Sequence, residues 1–155
     1  MFYRPFLKET LLKFKETCEI VVWTAGSSEY ANRVINSIDP DNSLFDLRLF
    51  REQCYATPKD IYVKDLRILN RDLSKTIIVD NSAYSFGFQP ENGVLVLPFK
   101  GERDDSELLM LGEYLTYLMK LDDFRSFNKK HFMYEEFMKS SNIDSLRKKL
   151  LSSGD

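Results

Sequence analysis

At 155 residues the chain is long enough to bury a core but too short for two large domains, and 43% hydrophobic with 30% charged residues places it among globular proteins. A formal net charge of -2, with both signs interspersed, excludes the basic face that nucleic acid or an anionic membrane surface demands. Two cysteines, Cys18 and Cys54, without CxxC spacing argue against a disulfide framework or a zinc site and for a reducing compartment, cytoplasm or nucleus.

Pro5 suits a first helical turn, and Leu7, Leu11 and Phe14 recur with helical spacing through about Thr17. Cys18 to Thr24 is a β-branched, apolar run of strand length, far short of a membrane span, and it ends in Ala25-Gly26-Ser27. Tyr30, Ala31, Val34, Ile35 and Ile38 mark a second helix, which Asp39-Pro40-Asp41-Asn42 stops. Leu47 to Phe50 alternates like a strand, and the Thr57-Pro58 break before Ile61-Tyr62-Val63 suggests a small hairpin. Thr76 to Asp80 is the clearest buried strand, ended by Asn81-Ser82. A short strand follows from Val94 to Leu97, and Asp104 with Glu107 resembles a capping box that opens a helix through Leu108, Leu111, Leu115 and Leu118. The tail from residue 124, with Phe124, Phe127, Phe132, Phe137, Ile143, Leu146 and Leu150, reads as one or two accessory helices.

Alternating strands and helices predict an α/β fold with a mostly parallel sheet covered on both faces, and such sheets bind ligands beyond the carboxyl ends of their strands. That rule selects Thr24 and Asp80-Asn81. Thr24 offers a hydroxyl beside a helix N-terminus, a place that favours an anion such as phosphate; the competing reading is that Thr24 closes a turn and Ser27 caps the helix. Asp80 and Asn81 are hard oxygen donors of the sort Mg²⁺ takes, and both are equally at home as turn residues. Lys64 is a point charge for phosphate oxygens or a solvated lysine. Arg51 either contacts substrate or braces the small hairpin, the structural role being favoured, and His131 reads as a surface or packing histidine.

In order, Trp23-Thr24-Ala25-Gly26, Phe50-Arg51-Glu52-Gln53-Cys54, Tyr62-Val63-Lys64-Asp65-Leu66 and Ile78-Val79-Asp80-Asn81-Ser82 resemble the small C-terminal-domain phosphatases, also called nuclear LIM interactor-interacting factor-like, of the haloacid dehalogenase superfamily. The likeness runs from about Tyr3 to Asp123, so residues 1–123 are expected to form the phosphatase-like domain and 124–155 a helical tail packed on it. It implies a Mg²⁺-dependent protein serine/threonine phosphatase acting on phosphoserine or phosphothreonine in a protein or peptide. In that family Thr24 and Lys64 correspond to phosphate-binding groups, Asn81 to a direct Mg²⁺ ligand and Asp80 to a water-mediated one.

The family's nucleophile and its acid–base partner lie in an Asp-x-Asp-x-Thr motif on a first, central strand, expected upstream of Arg4-Pro5 between the strands that end in Thr24 and Asp80. That motif is absent from residues 1–155, so the sequence predicts no catalytic residue here and an inactive chain as it stands. Asp39-Pro40-Asp41 is the one Asp-x-Asp, but it follows a helical pattern, contains a proline and reads as a turn. Two functions remain: part of a phosphatase whose first strand lies upstream, or a phosphatase-like binding or scaffold module. A two-component receiver also uses Asp, Thr and Lys at sheet edges, but in a different chain order from Thr24, Lys64, Asp80.

Overall fold

The computed structural model describes residues 2–132; the tail positions Phe137, Ile143, Leu146 and Leu150, and any second tail helix, lie outside the described residues. The chain divides into two compact units, one of Met1–Cys54 with Leu97–Thr116 and one of Tyr55–Val96 with the chain from Tyr117 onward.

In the first unit, helix α1 (Leu7–Lys15) is followed by strand β1 (Val21–Trp23), helix α2 (Ser28–Ile38) and strand β2 (Leu47–Leu49), and α3 (Glu107–Leu118) begins here. Strands β1 and β2 are parallel, with Val21 opposite Leu47 and Trp23 opposite Leu49. The ladder is extended at both ends by Asp46 N–H to Ile20 O (2.9 Å) and Thr24 N–H to Leu49 O (3.0 Å). β1 starts later than the apolar run because Cys18 N–H still bonds Phe14 O at 2.8 Å, finishing α1. Asp46 ties the pieces together, its carboxylate accepting from Lys15 Nζ (2.6 Å) and from Ile20 N–H (2.8 Å). Ala31 and Ile35 on one face of α2, with Leu44, Leu49 and Leu111, are buried, as the helical spacing requires.

The expected Asp104–Glu107 capping box does not form. Arg4 grips Asp105 in a two-pronged ion pair (both bonds 2.8 Å), which turns Asp105 toward Glu107 N–H (3.1 Å). Glu107 in turn accepts from Leu97 N–H at 2.8 Å instead of reaching back to a cap.

In the second unit, strands β3 (Tyr55–Ala56) and β4 (Tyr62–Val63) form the antiparallel hairpin anticipated at Thr57-Pro58. Thr57 is buried, and its hydroxyl accepts the Ile61 N–H (3.1 Å), which closes the loop. Strand β5 (Ile78–Asp80) pairs in parallel with β6 (Gly93–Leu95), Ile78 opposite Gly93 and Asp80 opposite Leu95. β5 is shorter than the apolar run because Thr76 is spent terminating a 3₁₀ turn, its hydroxyl bonded to Asp72 O at 2.8 Å. Gly93 is obligatory where it sits: a Cβ there would lie 2.1 Å from a ring carbon of Phe86, which is 1% exposed. Helix α4 (Arg125–Phe132) completes the described chain.

The fold is therefore mixed α/β with parallel strand pairs, but not the single sheet expected from the sequence. Among the described residues β1 bonds only β2 and β5 only β6. No described segment pairs with the second edge of β1 or of β5, so each parallel element stops at two strands.

Candidate functional site

In the first unit, Thr24 follows the last residue of β1, and its Oγ1 accepts the Gly26 N–H at 3.0 Å. This is the turn geometry weighed from the sequence; the hydroxyl proton is still available to donate. Ser27 occupies the cap position of α2 in extended conformation, and its hydroxyl makes no capping bond. Arg51 braces this same loop: its Nε donates to Ala25 O (2.7 Å) and its backbone N–H to Gly26 O (3.1 Å). The loop that presents Thr24 is thus clamped from the chain just past β2.

In the second unit, Lys64 and Asp80 come together. Lys64 follows β4, and its backbone N–H is anchored on Ser85 O at 2.7 Å. Its Nζ donates to Asp80 Oδ2 at 2.6 Å, with the two side chains 9% and 10% exposed. The other oxygen, Oδ1, accepts Ser82 N–H at 2.8 Å, so both carboxylate oxygens are engaged. An ion pair this enclosed is strongly coupled: deleting either partner strands the other charge, at a cost of roughly 3–5 kcal/mol. Asn81, next in the chain, is exposed.

Mg²⁺ prefers near-octahedral hard oxygens, commonly one or two carboxylates together with substrate phosphate. Here Asp80 offers one carboxylate whose charge Lys64 already balances, and Asn81 one amide oxygen. Among the described residues no group of three or more His, Cys, Asp or Glu is placed to hold a metal ion. These residues alone do not fit a tight Mg²⁺ site.

Asp39 behaves as a turn residue. It is fully buried, and its carboxylate accepts the N–H groups of Ser43 (2.8 Å), Leu44 (3.0 Å) and Phe45 (3.2 Å). A carboxylate so enclosed cannot reach a phosphorus atom. His131 is exposed and lies against Phe127 (ring centroids 6.0 Å apart) and Phe132 (4.9 Å), a surface histidine with ring contacts.

What sequence reasoning missed are three buried amides in the second unit. Gln89 accepts from Leu66 N–H and donates to Asp65, which fixes the segment just after Lys64. Asn92 donates to Leu73 O and Thr76 O just before β5, and Asn128 to Glu91 O and Gly93 O at the start of β6. Gln89, between Phe88 and Pro90, and Asn128, after Phe127, carry the signal of a polar amide beside a ring residue; Asn92, between Glu91 and Gly93, carries none.

A profile of the NLI interacting factor-like phosphatases matches residues 1–125. The chain is 40% identical over 122 residues to "CTD small phosphatase-like protein 2" of Dictyostelium discoideum, covering 79% of this chain and 21% of that protein. It is 44% identical over 122 residues to a "Probable C-terminal domain small phosphatase" of the same organism, covering 79% of this chain and 39% of the relative. To the human "CTD small phosphatase-like protein" it is 42% identical over 120 residues, covering 77% and 43%. It thus spans about a fifth to two-fifths of the length of these relatives. Among solved structures it resembles Fcp1, described as an essential RNA polymerase II CTD phosphatase, with a TM-score of 0.54 and 23% identity over 99% of this chain and 38% of that one. A fission yeast Fcp1 variant bound to beryllium fluoride gives 0.53 and 20% over 91% of this chain and 41% of that one, and at such identity the likeness speaks to the fold. No helix among the described residues is long and apolar enough to cross a membrane. With four-fifths of its length matched by one profile, the chain belongs to the NLI interacting factor-like phosphatase family.

Proposed function

We propose that this chain is the phosphate-binding and metal-facing portion of a Mg²⁺-dependent protein serine/threonine phosphatase, with residues 1–123 as the phosphatase domain and 124–155 as an accessory tail. The observation that carries the reading is the enclosed Lys64–Asp80 pair beside Asn81 at the carboxyl end of a parallel strand. Lys64 and Thr24 are assigned to the phosphate oxygens, Asp80 and Asn81 to the metal side, and Arg51 to bracing the Thr24 loop. An ammonium and a hydroxyl attract and orient a phosphoryl group, but transfer also needs an acceptor. In this family that acceptor is the first Asp of Asp-x-Asp-x-Thr, and residues 1–155 contain no such motif.

The proposed substrate is a phosphoserine or phosphothreonine peptide. The RNA polymerase II C-terminal domain named in the relatives is the first candidate, which favours the nucleus over the cytoplasm. A second reading, a phosphopeptide-binding scaffold without turnover, is favoured by the enclosure of Asp39, the first residue of the one Asp-x-Asp present.

Hydrolysis of p-nitrophenyl phosphate and of a phosphoserine peptide by residues 1–155, beside a longer polypeptide that supplies an Asp-x-Asp-x-Thr strand upstream, separates the two. The enzyme reading expects turnover only in the longer polypeptide, the shorter being down by a factor on the order of 10⁶ as for loss of a nucleophile elsewhere. Peptide binding without turnover in both supports the scaffold. Robust turnover by residues 1–155 that Asp39→Asn abolishes overturns both.

A further inference from the structure

We infer that Asn92-Gly93 is a deamidation site, locked while the second unit is closed, whose reaction makes the opening of that unit irreversible. It is the one Asn-Gly pair in the chain, and packing imposes each member. A Cβ at position 93 would lie 2.1 Å from a ring carbon of Phe86. Asn92, 2% exposed, spends its amide nitrogen on Leu73 O (2.6 Å) and Thr76 O (2.7 Å). The fold thus requires the pair most prone to ring closure, because a glycine nitrogen with no Cβ beside it is an unhindered nucleophile.

In the reaction the Gly93 nitrogen loses its proton and attacks Asn92 Cγ. The new N–C bond closes a succinimide ring as the Cγ–Nδ2 bond breaks and ammonia leaves; water then opens the ring to aspartate or isoaspartate. The closed unit opposes each part of this step. Turning Cγ toward the Gly93 nitrogen breaks both bonds of the Asn92 amide, the Gly93 N–H is tied to Pro90 O, and Asn128 Nδ2 holds Gly93 O at 2.6 Å. Opening removes all of these restraints together. The product does not close again in the same way. A carboxylate at position 92 has no hydrogen to give Leu73 O or Thr76 O and sets its charge against both carbonyls where water is excluded, while isoaspartate lengthens the backbone just ahead of β6.

The test uses the wild-type chain in mildly alkaline buffer, with and without urea. Fragmentation mass spectrometry locates the amide-to-acid conversion, and hydrogen exchange of the β5 and β6 amides is measured on the same samples. A synthetic peptide from Phe88 to Leu97 gives the unprotected rate. Reclosing is fast beside deamidation, so the chain should react at the peptide rate multiplied by its open fraction, about 100-fold or more below the peptide in the absence of urea. Urea should raise deamidation and exchange in the same proportion. Conversion at the peptide's rate in the closed chain, or none under urea that frees the β5 and β6 amides to exchange, overturns the lock. Chain aged in unfolding urea and returned to buffer reads the second half of the inference. Molecules deamidated at Asn92 should lack the β5 and β6 protection that unconverted molecules in the same sample regain; equal protection in the two overturns irreversibility.

Discussion

Replacing Asp39 by asparagine tests how the turn between α2 and β2 is held. In the wild type one carboxylate ends α2 and accepts three consecutive N–H groups, of Ser43, Leu44 and Phe45, with Arg48 at 3.9 Å. Asparagine can keep the two bonds on Oδ1, but its NH₂ then faces the Phe45 N–H, donor against donor. One partly buried N–H loses its acceptor and the other bonds lose their charge assistance, together about 2–3 kcal/mol. For a chain of this size that is roughly 5–10 °C in Tm, read by circular dichroism at neutral pH. Acid behaviour gives a second readout. Burial by itself pushes the Asp39 carboxyl up, but the backbone N–H groups of Leu44, Phe45 and Ser43 outweigh it and hold it below the usual carboxylate range. A folded-state value below the unfolded value of about 3.9 means that the stabilisation is complete above that pH and lost as pH falls through the folded value. Asp39→Asn should therefore flatten the acid limb of the stability curve. An unchanged Tm at neutral pH, or an acid limb that coincides with wild type, would refute this account of the turn.

Gly93→Ala forces a Cβ into the ring of Phe86 and should lower the urea midpoint by the equivalent of about 1–3 kcal/mol, with Phe86→Leu in the same chain restoring part of it. Asn128→Ala removes both donors that satisfy Glu91 O and Gly93 O, and a loss of about 2–4 kcal/mol in urea unfolding is expected; a loss below about 0.5 kcal/mol would mean those carbonyls find other partners. Hydrogen bonds from the side chain and backbone of Arg125 hold the Asp123 carboxyl down at about 2. Arg125→Ala should return it toward the ordinary value of about 3.9, measured by NMR titration of the carboxyl carbon.

Apolar runs such as Cys18 to Thr24 and Thr76 to Asp80 revealed the strands because β-branched periodicity survives any tertiary context, whereas their ends were fixed by bonds no propensity encodes. Cys18 N–H closing α1 and the Thr76 hydroxyl closing a 3₁₀ turn each trimmed a strand at its start. The Asp104 cap failed for a related reason: Arg4, more than ninety residues away in the chain, competes for the neighbouring Asp105. At the site, Lys64 and Asp80 were legible as polar residues at element ends, but their mutual ion pair was not, since each was assigned a separate ligand. The buried amides Gln89, Asn92 and Asn128 escaped notice because an amide looks like surface until the carbonyls it serves are known.

Those amides also decide how the second unit opens. Leu73 O, Thr76 O, Glu91 O and Gly93 O each accept a hydrogen bond from an amide side chain, so the 3₁₀ turns that precede β5 and β6, and the first residue of β6, are pinned from outside the strand ladder. Amide hydrogen exchange follows cooperative opening, not secondary-structure labels. The slowest-exchanging protons around β5 and β6 should thus form one block that crosses turns and strands alike, released together when α4 lifts and Asn128 leaves its two carbonyls.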